Sequence, residues 1–493
     1  MATMAAVDLG AQSGRVALGR FDGEKLAVTE AHRFANVPVE SGGSLRWNAE
    51  ELRRNVLDGL RAAARDGAVD SVAVDSWAVD FGLVDSEDRL LEDPVHYRDT
   101  RRAAAFRAVL ERVPARHLYD RTGIQLLPIN TVFELAAMAA DDDPALRAAD
   151  RLLLMPDLFH LWLCGSRTTE LTNATTTQCY DPIAGRWAED VLDRLEIPAE
   201  IFPDVVTPGT TLGPVTAETA SQTGLGQATV IAVATHDTGS AVAGAPLGSR
   251  GSIFLSVGTW SLVGSELDGP LINDETFDAN LTNEGGVAGT TRLLRNVTGL
   301  WLLHECRRTW ADQGQELSFE QLVELARSAA AFGPLIDPNA PAFLEPGDMP
   351  QRIADYCTAT GQTRPEGVGE IVRCALESLA LKHAETVDLL HGITGVQPRE
   401  LHVLGGGARN DLLCQWTADA CALPVLAGPE EATLLGNLVV QAMTLGELAS
   451  IDEARVVVRN SFSPTVHEPR ADPRWAEARE RFAALAPALE VEV

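Results

Sequence analysis

Asp237 stands where an apolar run, Ala228–Thr235, gives way to His236-Asp237-Thr238-Gly239-Ser240 and a helix begins. A carboxylate there can reach a substrate hydroxyl and accept its proton as a phosphoryl group is transferred to that oxygen. Aspartate just before a helix also serves as a plain cap of the first N–H groups. On residue types alone both readings stand. Asp8 ends an earlier β-rich run, ahead of Gly10-Ala11-Gln12-Ser13-Gly14-Arg15. It could hold Mg2+ through water, because that ion keeps much of its hydration, or it could only close the turn. Ser13, Gly14 and Arg15 could cradle a phosphate, with Gln12 helping through its amide, and Arg15 is the candidate charge clamp on a γ-phosphate.

Those turn residues belong to a hairpin that recurs about 245 residues later. Ala5–Val16 and Ile253–Val263 are each a β-rich run, a tight turn of small and hydroxyl residues, and a second β-rich run. Such turns offer backbone N–H groups to an anion without a bulky side chain in the way. Two of them imply two related lobes gripping a polyphosphate. The chain has only two lysines, Lys25 and Lys382, and no Gly-x-x-x-x-Gly-Lys-Ser/Thr, so a P-loop is excluded. The protein-kinase set Val-Ala-Ile-Lys with His-Arg-Asp is absent, and no Gly-x-Gly-x-x-Gly follows a candidate strand. Phosphate must then be handled by turn backbone, hydroxyls, arginine and a metal ion.

Other candidates carry an ordinary alternative beside the chemical one. Gly405-Gly406-Gly407 allows close backbone approach to a flat ring such as adenosine, or is a helix-entry turn. Asp75 and Asp80 flank Trp77 and could bind sugar hydroxyls against an apolar wall, or alternate faces of a strand. His304 lies on the helical run Leu300–Arg308, where packing or surface explains it equally, and Asp141-Asp142-Asp143 reads as a solvated loop.

The elements that would position these groups follow an α/β order. A meander over 5–33 turns at Asp22-Gly23. A helix spans Ala49–Ala64, with Leu52, Val56 and Leu60 spaced by four. Strands follow at Ser71–Asp75 and Ala78–Val84. Residues 101–225 read as a mainly helical, sugar-facing cap. After Gly251 come a long helix over Leu376–Gly392, a strand Leu401–Leu404, a helix to Ala422, a strand Pro424–Ala427, a helix Glu431–Met443 and a charged terminal helix from Asp472. Ligand loops at strand C-termini suit an open α/β sheet.

The chain has 493 residues, enough for two to four domains, with 45% apolar and 22% charged residues. A net charge of −30 argues against nucleic acid or an anionic membrane as partner. The N-terminus lacks a basic and hydrophobic leader, and no apolar run approaches membrane length. Seven scattered cysteines without Cys-x-x-Cys fit a reduced, cytoplasmic protein, with Cys357 and Cys374 the pair that could bridge.

Taken together these stretches resemble the FGGY carbohydrate kinases, within the actin-like and hexokinase-like ATPases. The resemblance covers nearly the whole chain. It is carried by Val7–Arg15, Tyr97–Arg101, Leu153–Asp157, Thr172-Asn173-Ala174-Thr175-Thr176-Thr177-Gln178, His236-Asp237-Thr238, Leu255–Leu262, Asn283-Glu284-Gly285-Gly286, Gly299–Leu303 and Gly405–Gly407. It implies two actin-like, ribonuclease-H-like lobes, over 1–245 and 246–493, with an active-site cleft between them. The first lobe would bind sugar and supply the base, and the second would bind nucleotide. It implies transfer of the ATP γ-phosphate, with Mg2+, to the 1-hydroxyl of L-rhamnulose, by a monomer or homodimer. Another ketose such as L-fuculose or D-xylulose is the alternative. An actin-like ATPase without a metabolic substrate is the remote one. Under the resemblance Asp237 is the general base, and Ala78, His236, Thr238 and Asn296 contact sugar. Ala11–Arg15, Thr259, His304, Gly405 and Gly406 contact ATP, and Asp8 holds the metal through water. Two positions depart from the family pattern. Ala78 stands where Gly is usual, adding a methyl beside the sugar, and His304 stands where Gln is usual, at the nucleotide.

Overall fold

Met4-Ala5-Ala6-Val7 has apolar side chains at odd and even positions alike, so both faces of that strand must be covered. In the structure, a computed structural model that describes residues 2–248 and 251–485, both faces are. Met1 and 486–493, the outer ends of the two expected lobes, lie outside the described residues. Strand Ala2–Leu9 pairs antiparallel with Ser13–Phe21 and parallel with Ser71–Ser76, setting Asp8 level with Asp75. Ala5, Val7 and Leu9 join Val72 and Val74 against Leu52, Val56 and Leu60 of helix Ala49–Ala64. Met4, Ala6 and Ala17 face the other way, onto Leu434, Leu435 and Leu438 of helix Ala432–Thr444. The sheet runs Thr210–Pro214, Thr229–Ala232, Ser71–Ser76, Ala2–Leu9, Ser13–Phe21, Leu26–Ala35. Its Asp22-Gly23 turn forms as expected. Gly23 has φ +107°, and Asp22 Oδ1 accepts from the N–H groups of Glu24 and Lys25.

The expected strand over Ala78–Val84 is shorter, Phe81–Val84, because Trp77–Asp80 forms an irregular turn. The Asp80 carboxylate is buried, and it draws Trp77 Nε1 and Trp47 Nε1 inward onto Oδ2. Phe81–Val84 pairs instead with Arg151–Leu154. Residues 101–225 hold eight α-helices and several two-residue strands. Their own core includes Phe133, Val109, Leu118 and Leu192.

Chain contacts define two compact units. The first comprises 1–246, 266–293 and 432–462, and the second 247–265, 294–431 and 463–493. Each repeats one plan. In the second unit Ser252–Val257 pairs antiparallel with Trp260–Leu267 and parallel with Glu400–Leu404. Val425–Ala427 and Thr465–His467 continue that sheet. The helix expected over Leu376–Gly392 runs the longer span Gly367–Thr394 and ends at Gly395 in the left-handed conformation that glycine tolerates. Among the described residues no helix is long and apolar enough to cross a membrane.

Candidate active site

The strand Thr229–Ala232 runs out through Val233–Thr235, Ser76 bridges to His236, and helix Asp237–Ala243 starts there. Ser76 N–H donates to the Thr235 carbonyl at 2.9 Å, which fixes that exit. The cap position of the helix is His236, not Asp237, and Asp237 makes no bond to the N–H groups of Gly239 or Ser240. Its carboxylate is thus not spent on a helix cap. All its contacts fall on Oδ1, from Thr238 N–H, Thr238 Oγ1 at 3.1 Å and His236 Nε2 at 3.4 Å. Oδ2 carries none among the described residues. The side chain keeps 32% of its exposure, so it lies in a crowded recess open on one side. That crowding pushes its carboxyl above the usual range, and the charge of Asp8 adds to the push.

Asp8 is paired rather than open. Arg15 donates to its Oδ2 from Nε at 2.8 Å and from Nη2 at 2.7 Å. The two groups assigned from sequence to metal and γ-phosphate hold each other here. The turn between them is tied by Asn36, whose Nδ2 donates to the Gly10 carbonyl at 2.9 Å and whose N–H donates to the Gln12 carbonyl. Gln12 and Ser13 are exposed, and Ala11 and Arg15 half-buried. Gly14 is buried, and a Cβ there would lie 2.2 Å from the Phe34 ring.

Asp75 and Asp80, which could bind sugar hydroxyls or alternate faces of a strand, are both buried and turned onto protein partners. Asp80 accepts from Trp47, Trp77, Tyr97 N–H and Arg102 Nη2, the last at 2.9 Å, and burial raises it to about 6. Three of these donors share Oδ2, and the group is committed to protein partners out of contact with solvent. Asp75 is fully buried, and its Oδ2 accepts from Asn437 Nδ2 at 2.6 Å. Burial first, then the neighbouring Asp8 charge, hold it well above the ordinary range. Ala78 is the half-exposed residue of that turn, followed by Val79 at φ +67°, a conformation costly for a β-branched residue. The Val79 carbonyl is held by Thr131 Oγ1 at 2.7 Å.

In the second unit the Gly258-Thr259 turn, the start of helix Trp301–Asp312 and the Gly405–Gly407 loop come together. The N–H groups of Gly299 and Trp301 donate to the Thr259 carbonyl, and that of Leu300 to Gly258. A Cβ on Gly299 would lie 2.5 Å from the Trp260 carbonyl carbon, and one on Gly407 2.2 Å from Val257 Cγ1. Only glycine permits both approaches. Gly406 is exposed; Thr259, Gly405, His304 and Asn296 are half-buried. His304 packs edge-on against Phe319 with centroids 4.8 Å apart, and burial depresses its pKa to about 4, so it is neutral near pH 7.

Sequence reasoning missed the groups behind the base. Glu170, fully buried, accepts from the N–H and Oγ1 of both Thr172 and Thr235. Thr172 Oγ1 in turn accepts from His236 N–H at 3.1 Å. Glu284 and Arg292 meet the His236 ring from the other side. Their signals were faint: an acid ahead of two glycines, and an arginine beside the apolar pair Leu293-Leu294 in a strand. Asp237 is also held from its own helix. Gly244 and Gly436 bring that helix against Ala432–Thr444, where a Cβ on Gly436 would lie 1.7 Å from the Ser240 carbonyl oxygen. Among the described residues no group of three or more His, Cys, Asp or Glu side chains could cage a metal ion. One strand-end carboxylate with substrate phosphates is the mode Mg2+ commonly uses, and Asp8 suits it. Cys357 and Cys374 are thiols with sulfurs 4.0 Å apart.

Comparison with known proteins agrees over nearly the whole chain. Residues 3–244 match the model of the N-terminal domain, and 253–445 that of the C-terminal domain, of the FGGY family of carbohydrate kinases. A rhamnulokinase from Bacteroides thetaiotaomicron is 42% identical over 97% of this chain and 98% of its own. One from Pectobacterium carotovorum is 41% identical over 97% and 96%. A crystal structure of ligand-bound xylulose kinase from Lactobacillus acidophilus has the same fold at a TM-score of 0.81 and 18% identity, covering 98% of this chain and 97% of that one.

Proposed function

The chain belongs to the FGGY family of carbohydrate kinases, and from that premise we propose that it transfers the γ-phosphate of ATP to the 1-hydroxyl of L-rhamnulose. The observation that carries the assignment of the base is the one-sided load on Asp237: two donors and the His236 ring nitrogen at 3.4 Å on Oδ1, and none of these on Oδ2. The relatives named rhamnulokinase support the choice of sugar. Oδ2 accepts the hydroxyl proton as the oxygen attacks phosphorus. A carboxyl raised by its crowded recess is the stronger base. Thr238 and His236 hold the other oxygen and so fix the plane of the carboxylate. Ala78 and Asn296 would contact sugar, and Ala11–Arg15, Thr259, His304, Gly405 and Gly406 the nucleotide. Bound Mg2+ would offset phosphate charge, with Asp8 holding it through water and Arg15 passing from Asp8 to phosphate. A cytoplasmic monomer or homodimer goes with this proposal.

The test is ADP release with Mg2+ and ATP across L-rhamnulose, L-fuculose, D-xylulose and glycerol, for the parent and for Asp237→Asn. We expect L-rhamnulose to lead in kcat/KM. We expect the substitution to lower kcat by roughly 10²–10⁴-fold with little change in KM. A tenfold preference for another acceptor would overturn the choice of sugar. More than about a tenth of parental kcat in Asp237→Asn, below the usual contribution of a base, would overturn the assignment of the base.

A further inference from the structure

Arg292 sits in strand Thr291–Thr298 with a fully buried side chain. Its Nε donates to the Gly285 carbonyl at 2.9 Å, so the guanidinium plane is fixed. Its Nη1 lies 3.1 Å from Glu284 Oε2, and its Nη2 lies 3.1 Å from His236 Nδ1. Glu284 Oε2 is also 3.2 Å from the same Nδ1. The far ring nitrogen, Nε2, is the one that faces Asp237 Oδ1. The other charges facing Arg292 are Glu170, Asp237 and Glu266, all acids.

We propose that Arg292, held by Glu284, is a positioning residue that fixes His236 as the neutral tautomer bearing its proton on Nε2, aimed at the base. A guanidinium has donors and no acceptor, so Nη2–H can bond Nδ1 only if Nδ1 offers a lone pair. The imidazole proton must then sit on Nε2, the nitrogen that faces Asp237 Oδ1 at 3.4 Å. The opposite tautomer would give Nδ1–H to Glu284 but set two N–H groups against each other at Arg292. It would also turn the Nε2 lone pair onto a carboxylate oxygen. A doubly protonated ring keeps the clash at Arg292. Glu284 balances the buried guanidinium and removes the need for a charged histidine. With Nε2–H turned toward Oδ1, the proton taken from the sugar is directed to Oδ2. The role rests on Asp237 being the base, but the tautomer does not.

Two-bond nitrogen–proton correlation on the full chain, with its ten histidines 15N-labelled, reads the tautomer without substrate. The His236 signals are those lost in His236→Gln. At pH 7.5 we expect a pyridine-type Nδ1 and a pyrrole-type Nε2. A pyrrole-type Nδ1, or two protonated nitrogens, overturns the proposal in the parent protein, whether or not any variant folds. Arg292→Met should mix the tautomers and lower kcat on the order of 10²-fold, as for a misaligned catalytic group, with KM for L-rhamnulose nearly unchanged. Arg292→Lys, which keeps one donor, should recover the tautomer and part of kcat. Unchanged kcat in a folded Arg292→Met would also overturn it. If Asp237→Asn stays active while His236 shows the expected tautomer, the assignment of the base fails and the tautomer stands.

Discussion

Gly436→Ala is the substitution whose consequence can be worked furthest from geometry. A Cβ at 436 would lie 1.7 Å from the Ser240 oxygen, 2.5 Å from its carbonyl carbon and 2.9 Å from Gly244 N. Every obstacle is backbone, so no rotamer change relieves it. Ordinary contact requires the two helices to part by about 1.5 Å or more. Ser240 cannot move alone. Its N–H donates to the His236 carbonyl at 3.0 Å, and its Oγ to the Ala234 carbonyl at 2.6 Å. The displacement therefore reaches the residues on either side of Thr235 and the turn that carries Asp237. It also draws Asn437, the next residue, away from Asp75. Overpacking typically costs about 1–3 kcal/mol, and with backbone on both sides we expect the upper end. Misplacing a catalytic group by about 1 Å can cost on the order of 10²-fold in rate. A coupled ADP-release assay should therefore show kcat down by about 10- to 100-fold, with a lowered melting temperature. Gly392→Ala is the control. Its Cβ meets nothing within 4 Å on the exposed side of helix Gly367–Thr394, so the loss should be under about 1 kcal/mol, with kcat nearly unchanged. If Gly436→Ala keeps kcat within about twofold and melts with the parent, the helices have slack and the backbone contact does not hold the base in place.

Asp80→Asn should destabilise by about 3 kcal/mol, because it removes the nearer of the two carboxylates that pair with the buried Arg102, and should leave KM for sugar and ATP unmoved; a KM change without a stability loss would return Asp80 to the sugar site. Glu170, raised by burial to about 7, contributes stability that is full below its ordinary value of 4.5 and is lost as pH rises through 7, a swing of about 3 kcal/mol. The gap in urea midpoint between the parent and Glu170→Gln should accordingly narrow from pH 4.5 to pH 8; a gap that widens refutes the assignment. His304, depressed to about 4, is neutral across pH 6–8, so any change in KM for ATP over that range should persist in His304→Gln; its disappearance would mean that His304 titrates there.

What could be read from the chain was what the chain decides locally. The Asp22-Gly23 turn, helix Ala49–Ala64 and the two hairpins follow from turn chemistry and spacing over a dozen residues. Asp237 was visible because an apolar strand and a helix meet there. The orientation of Asp75 and Asp80 was not, because it depends on partners such as Trp47, Arg102 and Asn437, which are remote in sequence. Nor was the contact of Arg292 with His236, which joins two strand ends 56 residues apart. Asn36 escaped for a different reason. A lone asparagine after a strand reads as an ordinary loop residue, and only the folded turn shows it holding both Gly10 and Gln12.

The helix Ala432–Thr444 sets a timetable for synthesis. Gln441 Nε2 donates to the Ala5 carbonyl, its Oε1 accepts from Ser71 Oγ, and Asn437 reaches Asp75. The opening sheet therefore waits for a segment made roughly two hundred residues after Pro246 leaves the ribosome tunnel. At about 5–20 residues per second that is on the order of 10–40 s during which Met4, Ala6 and Ala17 have no cover. The nascent chain is a natural client for chaperones over that interval. A ribosome stalled between 293 and 432 would release a polypeptide unable to complete the unit that holds Asp237. A two-fragment version cut near 246 would inherit the same defect, since its first piece lacks the helix that closes its own sheet.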